Sequence, residues 1–554
     1  MSVHEDIQDW PQATLRPPAE VMRLSRMGVS FPTRLSFLRS LLRDLAEQAA
    51  SVETASKWDS DGFGHATFAV KLDGRDLTLI AWTSQLDDAD RSDRVIATAW
   101  DACFVLFDGK PTPDDIEHLG RNAKTQEAGR YHPKVLVVSR ANKSVRLFAH
   151  VVDALAAGRQ PDMAKLDATG YLMRTTAVYG NGKFGMADRE AATAPFRLEM
   201  LAVYLIREFT FALANHIASA RNSKAARLGA DEMRALGIGN STGLGMAPFL
   251  VSHPVLLNNW VLVRETAIAR VRAHDDATKS GEFQHLCERA AVHLQGWNVD
   301  DEQAQVDIED LRVEFRGFRE EFPNDLAKPY PWDAIMHRAE RGTEALQELI
   351  ASLVLEPHGE LIDGLCHCMG ADDDGQLRAT GNVGDLRRGL EEHYRWALDL
   401  DLSRPEADAM VWYVSEEKLE PRLGERAEDF RRERAMPHDI ARQVQAMAEA
   451  LANFDDTDLL ATFLMRHPRH RNIVKRVQTI MVHPYGEIRD NLVAVDIRPI
   501  DLLRCKLAFF GASRFDPRSD RWTRITLYAG APPAAELTTE NAGDCFLPVT
   551  VRPA

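Results

Sequence analysis

The chain has 554 residues, of which 45% are hydrophobic and 27% are charged, and its formal net charge is -16. This length exceeds one ordinary core and predicts about two to four domains, while the apolar content excludes wholesale disorder. The acidic balance disfavours non-specific attraction to nucleic acid or anionic lipid, so neither is expected as a partner.

Targeting and redox signals are absent from the sequence pattern. No apolar run approaches the roughly 20 residues of a membrane span, and the acidic N-terminal stretch resembles neither a secretory signal nor a transit peptide. The cysteines do not form a disulfide framework and are read as buried or free thiols in a reducing compartment: Cys103, Cys287, Cys366, Cys368, Cys505 and Cys545. We therefore expect a soluble, cytoplasmic protein.

Residues 1–54 are predicted to form an irregular arm followed by one amphipathic helix. Pro32 can occupy the first turn of that helix, and its apolar residues recur at helical spacing on one face: Phe37, Leu38, Leu41, Leu42 and Leu45. Arg34, Arg39 and Arg43 lie on the other faces. They are interpreted as a solvated flank.

Residues 55–190 alternate strand and helix patterns and are predicted to form an α/β domain. The clearest element is a hairpin over residues 66–82, because Asp73-Gly74 separates two runs rich in alternating apolar residues. Further short strands are predicted at Cys103–Phe107 and Val135–Val138, with helical patterns at about 113–120 and 143–157.

Residues 191–495 are mainly helical. The stretch 196–213 is apolar around most of its circumference, which is typical of a helix in the middle of a packed protein or in an oligomer interface. Further helices are predicted at 256–271, at 333–355 with Pro357 as a stop, and at 440–451. Residues 496–554 return to strand at Arg524–Tyr528. The predicted class is therefore α+β, with a mixed α/β N-terminal part, a predominantly helical middle and a short mixed C-terminal part.

The first glycine-rich segment runs from Arg174 to Asp188 and follows the strand-like residues T-T-A-V-Y. Gly180, Gly182 and Gly185 fit G-x-G-x-x-G, but Pro195 breaks the helix that should follow, and no acidic residue ends a second predicted strand, so a dinucleotide site is disfavoured. A loop of this composition can instead direct amide groups and polar side chains at a carboxylate or phosphate. The candidate side chains are Arg174, Thr175, Thr176, Asn181 and Lys183. A purely structural loop with solvated charges is the alternative.

The second glycine-rich segment, Gly237–His253, contains the formal G-x-S-x-G of residues 239–243. A helical pattern precedes it, so the strained strand-to-helix turn that exposes a nucleophilic serine is not predicted. Asn240, Ser241 and Thr242 remain candidates for hydrogen bonds to a ligand or a developing oxyanion. His253 is a candidate proton carrier, or only a loop residue before a proline.

Metal and cofactor signatures are weak. Cys366-His367-Cys368 with His358 offers soft ligands, but a C-x-C alone is not a zinc pattern, and a single E-x-x-H at Glu282 falls short of a di-iron site. No metal and no organic cofactor is therefore predicted. The basic run 465–476 and the arginines of 514–521 are interpreted as ion-paired surface, with anion guidance or a subunit contact as the alternative.

These observations lead to two functional hypotheses and one variant. The first is an enzyme of the lyase or hydrolase type that binds a small anionic metabolite in a pocket formed by both glycine-rich segments. Arg174 and Lys183 would neutralise the substrate, Asn240, Ser241 and Thr242 would orient it, and Tyr179 or His253 would transfer a proton. The second is a non-catalytic helical scaffold or ligand sensor, and a homo-oligomer is expected in either case. The variant is a nucleotide-binding enzyme that uses Gly180–Gly185.

Overall fold

The structure is a computed structural model that describes residues 14–27, 31, 33, 35–86, 100–123, 132–145, 147–178, 196–243, 254–274, 277–298, 302–322, 331–366, 377–403, 437–488, 514–519 and 522–542. The chain divides into two compact units. The sheet unit comprises Pro32–Thr242, Phe509–Arg518 and Thr523–Ala554. The helical unit comprises Met1–Phe31, Gly243–Ala508 and Ser519–Trp522.

The described strands form one sheet in the order β1-β2-β3-β4-β5-β6-β7-β9-β8. They are β1 (Glu53–Trp58), β2 (Gly64–Leu72), β3 (Arg75–Thr83), β4 (Ala102–Asp108), β5 (Val135–Lys143), β6 (Tyr171–Val178), β7 (Gly237–Gly243), β8 (Arg514–Ser519) and β9 (Trp522–Leu527).

The described α-helices are numbered in the same way. They are α1 (Pro18–Val21), α2 (Leu24–Met27), α3 (Phe37–Glu47), α4 (Pro113–Ala123), α5 (Phe148–Ala156), α6 (Met163–Thr169), α7 (Phe196–Arg221), α8 (Ala230–Ala235), α9 (Pro254–Arg272), α10 (Ser280–Gly296), α11 (Glu302–Glu321), α12 (Trp332–Ala339), α13 (Glu344–Leu355), α14 (Gly359–Cys366), α15 (Val383–His393), α16 (Arg395–Leu398), α17 (Pro437–Leu451), α18 (Leu460–Arg466) and α19 (Arg471–Val482).

In the sheet unit, β1 to β6 form an antiparallel meander, and β7 then pairs with β6 in the parallel direction. The predicted hairpin is confirmed, because β2 and β3 pair in register through Leu72 and Arg75. Asp73 and Gly74 have φ angles of 52° and 76°, as a two-residue type I′ turn requires. The α+β class expected from the sequence is confirmed, because this mostly antiparallel sheet occurs together with many helices.

The core of the sheet unit lies on both faces of the meander. On one face α7 packs against β2, β3, β5 and β6, and Phe209 of α7 makes edge contacts with Phe68 and Phe104. On the other face Leu119 of α4 joins a cluster with Ile80 and Val105. The helix that is apolar all round is thus buried within its own unit, as one of the two sequence interpretations predicted.

Two sequence predictions for the first helix are wrong. The helix α3 begins at Phe37 and not at Pro32, because the side chain of Ser36 accepts a hydrogen bond from the Arg39 amide and caps the first turn. Arg39 is fully buried and is not part of a solvated flank. The helix packs against α7, and this packing extends the buried surface beyond the apolar stripe that the sequence shows.

One prediction in the helical unit needs correction. The helix predicted over residues 333–355 is two helices, α12 and α13, and the hydroxyl of Thr343 caps the second by accepting from the Leu346 amide. The helix α13 ends at Leu355, ahead of Pro357 as predicted, and Pro357 lies in a short 3-10 turn, Glu356–His358, that leads directly into α14. The helices predicted at 256–271 and 440–451 are confirmed as α9 and α17.

The four sequence ranges 1–54, 55–190, 191–495 and 496–554 differ from the two units. The long helix α7 was expected in the helical range, yet it belongs to the sheet unit, and so does most of the C-terminal segment. Residues 514–521 were interpreted as an ion-paired loop, but the strand β8 occupies Arg514–Ser519 of this stretch. The strand predicted at Arg524–Tyr528 is confirmed by β9.

Candidate functional site

The two glycine-rich segments meet in the sheet at the parallel pair β6 and β7. Tyr171 lies opposite Gly237, Arg174 opposite Gly239, and Thr175 opposite Asn240. Because the two strands are parallel, their carboxyl ends lie at the same end of the sheet. The carboxyl ends of adjacent parallel strands are where open sheets that contain helices commonly bind ligands.

The second glycine-rich segment begins as a strand, so its interpretation as a loop is wrong for residues 237–243. Close packing explains two of its glycines. A Cβ atom at Gly237 would lie 2.1 Å from the carbonyl oxygen of Leu527 in β9, and one at Gly239 would lie 2.8 Å from the ring of Tyr171. These glycines let neighbouring groups approach the backbone of β7.

Arg174 and Thr175 are both buried in β6, at 4% and 0% exposure. The hydroxyl of Thr175 donates a hydrogen bond of 3.3 Å to the carbonyl oxygen of Gly239, which ties β6 to β7. On its other side Arg174 lies opposite Asn142 of β5. Arg174 therefore lies in a strand between β5 and β7 with its side chain buried, and not on a solvated loop.

A polar cluster adjoins Arg174 at the start of β4 and the end of β5. The Oδ1 atom of Asn142 accepts from the Asp101 amide at 2.9 Å, and the Oδ2 atom of Asp101 accepts from the Lys143 amide at 2.9 Å. The guanidinium of Arg140 lies 3.9 Å from the ring centroid of Trp100. These groups fix the ends of β4 and β5 and surround β6 with polar atoms.

The remaining candidates fall into two groups. Thr176 lies in β6, and Asn240, Ser241 and Thr242 lie in β7, where the structure describes the backbone and not the side chains. The other four candidates lie outside the described residues, so their positions beside the β6–β7 edge stay predictions: Tyr179, Asn181, Lys183 and His253.

The strand assignments bear on both formal motifs. Ser241 lies inside β7 and not on a turn between a strand and a helix, so G-x-S-x-G here lacks the geometry of a nucleophile elbow. The G-x-G-x-x-G does follow the strand β6, and the next strand of the sheet unit in the chain, β7, is parallel to it. However, β7 carries no acidic residue that could bind a ribose.

Sequence reasoning missed a buried ionic network in the helical unit. Arg16 binds the carboxylate of Glu265 in α9 through two hydrogen bonds, of 2.7 Å and 2.6 Å. Arg264 pairs with Glu265 at 3.1 Å and also with Glu348 of α13, while Arg16 lies 3.6 Å from Glu348. The hydroxyl of Tyr485 donates to the Arg16 carbonyl oxygen at 2.6 Å.

Pairing of opposite charges stabilises this network. Through Arg16 it also attaches the N-terminal arm to the helices α9 and α13. Desolvation lowers the pKa of Arg264 to about 10, with Glu265 opposing the shift and Arg16 and Arg26 adding to it, so the guanidinium stays protonated at neutral pH. Desolvation also acts on Arg16, but its hydrogen bonds to Glu265 outweigh it and raise the pKa. One sequence feature could have indicated this network. The charged residues Arg264 and Glu265 lie on a face of α9 that also carries the apolar residues Val261 and Ile268, and a charge buried on such a face needs a partner.

A second buried group explains part of the basic run 465–476. Arg476 in α19 donates to both carboxylate oxygens of Glu487 at 2.8 Å and 3.0 Å, and the hydroxyl of Tyr394 donates to the same carboxylate at 2.6 Å. Burial and the Glu487 charge raise the pKa of Tyr394 well above its usual value. This arginine is ion-paired, as the structural interpretation of the run predicted.

The soft ligands considered in the sequence do not assemble within the described part of the chain. Cys366 is buried, and the Nδ1 atom of His358 lies 2.8 Å from the Val354 carbonyl oxygen, to which its N–H can donate. His367 and Cys368 lie outside the described residues. Among the residues that are described, no three His, Cys, Asp or Glu side chains are placed to hold a metal ion.

Among the described helices, none combines the length and the apolar content that crossing a bilayer requires. Comparison of the chain with protein-family profiles, with curated proteins and with solved structures finds no match.

Proposed function

We propose that the chain is an enzyme that acts on a small metabolite bearing a carboxylate or a phosphate, with its site at the carboxyl ends of β6 and β7. The observation that supports this most directly is the parallel register that sets Thr175 opposite Asn240. That register places the strand portions of the two segments, which are rich in glycine and hydrogen-bonding residues, side by side with their carboxyl ends at the same end of the sheet. The reaction proposed is acid–base chemistry of the lyase or hydrolase type.

Each candidate residue has a role in this proposal. Arg174 supplies a fixed positive charge at the base of the site, and Lys183 neutralises the bound anion. Thr175 holds the strands together through its bond to Gly239, so contacts with the ligand are assigned to others: Thr176, Asn181, Asn240, Ser241 and Thr242. Tyr179 transfers the proton, whereas His253, the other candidate from the sequence, belongs to the helical unit and is not assigned to this site. The proposed setting is a reducing, cytoplasmic one, because Cys103, Cys287 and Cys366 are buried and not joined in disulfides.

The test combines a ligand screen with matched variants. Thermal unfolding of the full chain with a panel of carboxylate- and phosphate-bearing metabolites should identify ligands that raise Tm. Lys183→Ala and Asn240→Ala should each weaken that ligand's effect and reduce turnover about a hundredfold while the ligand-free Tm changes little. Lys71→Ala, at an exposed position of β2, removes the same charge away from the site and should change neither.

Two outcomes would reject the site. One is full ligand response and turnover in both variants, and the other is loss of the folded state in both. Because the control variant changes net charge by the same amount as Lys183→Ala, a non-specific electrostatic effect would appear in the control as well.

A nucleotide is the second candidate ligand, because Gly180, Gly182 and Gly185 directly follow β6 and β7 is its parallel neighbour. Titration with NAD, NADP, ATP and inorganic phosphate separates the two ideas. Binding of a dinucleotide in preference to phosphate alone favours the nucleotide site. Equal or better response to small anions favours the metabolite site.

A non-catalytic helical scaffold or ligand sensor remains the alternative proposal. The apolar helix at 196–213 motivates it, because a second subunit could cover such a helix. In the structure the corresponding helix, α7, is covered by strands and by α3 and α5 of its own unit. A homo-oligomer is still proposed, but it requires a different surface.

A further inference from the structure

The strand β1 (Glu53–Trp58) is an edge of the sheet, and no other described strand pairs with its outer side. Its first five residues are exposed and only Trp58 is half-buried. Its pairing with β2 is continuous from Glu53 to Trp58, with no bulge. An edge strand of this kind presents backbone N–H and C=O groups that can pair with another strand.

Of the usual devices that block such an edge, β1 carries charged side chains but neither a proline nor a bulge. Natural edge strands are protected by charged side chains, especially lysine, by proline, by bulges, by inward-pointing charges or by a covering element. The other edge of the sheet, β8, reads R-F-D-P-R-S and contains Pro517 together with three charges. The sequence of β1, E-T-A-S-K-W, contains no proline and carries one residue of each charge.

The order of residues in β1 is complementary to itself when the strand is reversed. An antiparallel pair centred on Ala55 places Glu53 of one copy opposite Lys57 of the other, and the reverse, on one face. Thr54 then lies opposite Ser56 on the other face. Shifting the register by one residue in either direction removes both opposite-charge pairs, so charge selects this register.

We propose that two copies of this chain associate through antiparallel pairing of their β1 strands, with Ala55 at the two-fold axis, so that the sheets of both copies become continuous. The interface is isologous, since each copy contributes the same patch. The main-chain hydrogen bonds supply the affinity, and the two Glu53–Lys57 pairs select the antiparallel orientation and the register. This inference does not depend on the proposed enzymatic function.

The experiment is a charge reversal with complementation, read by sedimentation velocity of the full chain over a wide range of protein concentration. The wild type should sediment as a dimer of the 62.1 kDa chain. Glu53→Lys alone sets lysine opposite lysine, and Lys57→Glu alone sets glutamate opposite glutamate. The dissociation constant of each variant's dimer should therefore be at least about tenfold higher than that of the wild-type dimer.

Mixing the two single variants is the decisive step. One copy then presents two lysines and the other presents two glutamates, so both cross-strand pairs are opposite in charge again. The mixture should form a heterodimer, and the double variant Glu53→Lys with Lys57→Glu should dimerise as the wild type does. Because both side chains are exposed, the circular dichroism and Tm of the variants should match those of the wild type under dissociating conditions.

Three results would overturn the proposal. The first is a wild type that remains monomeric at every concentration. The second is a single variant that dimerises as well as the wild type, which would locate the contact elsewhere. The third is a mixture that stays monomeric although each variant is folded, which would show that β1 does not pair in this register.

Discussion

At the scale of single residues, Arg207 binds backbone carbonyl groups from distant parts of the sheet unit. It is fully buried in α7, and its guanidinium donates to backbone carbonyl oxygens at distances of 2.6–3.1 Å. The acceptors belong to two stretches of backbone: Met233, Leu236, Ala531 and Pro532. Arg207 thus joins the C-terminal segment to the turn that precedes β7.

Arg207→Lys should destabilise the chain by about 3–5 kcal/mol. An ammonium group has three donors and lacks the planar fork of arginine, and each buried carbonyl left without a partner costs about 1–3 kcal/mol. Urea unfolding followed by circular dichroism measures the change. Arg221→Lys on the same helix is the control, because its exposed pair with Asp153 contributes less than about 1 kcal/mol. Equal effects of the two changes would show that the carbonyl contacts are unimportant.

At the scale of elements, the hairpin β2–β3 and the strand β7 mark the limits of sequence-based prediction. Asp73-Gly74 encodes its turn locally, since both residues adopt positive φ, and so the hairpin could be predicted. The glycines of β7 look the same in the sequence but serve a different purpose. Gly237 is dictated by a carbonyl of Leu527, and Gly239 by the ring of Tyr171. Those neighbours are distant in sequence, so no local pattern reveals them.

The same reasoning applies to the candidate site. Composition alone predicts that the segments around Arg174 and Asn240 lie close together. The parallel register of β6 and β7 supports this prediction for the strand portions. The burial of Arg174 and of the Glu265–Glu348 network could not be predicted, because a charged side chain is placed inside only when a distant partner is available. Arg16 and Glu265 are separated by 249 positions.

Two glycine-to-alanine substitutions should change the free energy of unfolding in opposite directions, and the first of them tests the role of the hairpin turn. Gly74→Ala should cost about 1–2 kcal/mol, because the φ of 76° is strained for a residue with a Cβ atom, although nothing lies within 4 Å of that atom. Gly317→Ala in the middle of α11 likewise meets nothing within 4 Å. It should stabilise by about 1 kcal/mol, since alanine is the better helix former.

Chemical unfolding of both variants beside the wild type measures this pair. A loss of stability at Gly317 would point to a close contact around α11. A neutral or stabilising change at Gly74 would show that the turn does not hold the φ angle on which the β2–β3 register depends.

At the scale of the whole molecule, acid should reduce the stability of the helical unit. Two histidines of the helical unit have strongly lowered pKa values. Desolvation lowers the pKa of His293 to about 4, where its ring lies between Phe31 and Trp297. Desolvation, followed by the charges of Arg469 and His467, lowers the pKa of His470 to about 4, and its Nε2 atom accepts a hydrogen bond from Arg469 at 3.2 Å.

The sign of the effect follows from proton binding. The folded state favours the neutral imidazoles, so below the ordinary pKa near 6.5 the unfolded chain binds more protons. The stability that these rings contribute is complete above that pH and is lost progressively as the pH falls toward about 4. Each pKa unit corresponds to about 1.4 kcal/mol, and we expect about 2 kcal/mol per histidine because neither ring is wholly isolated from water.

His293→Gln removes the titrating group and keeps a neutral polar side chain in its place. The variant should lose less stability than the wild type between about pH 7 and about pH 4.5, a range in which the wild-type ring binds a proton only on unfolding. Calorimetry at several pH values measures this, and the comparison at the highest pH isolates the cost of the lost ring packing. If variant and wild type show the same pH slope, His293 is already accessible to protons in the folded helical unit.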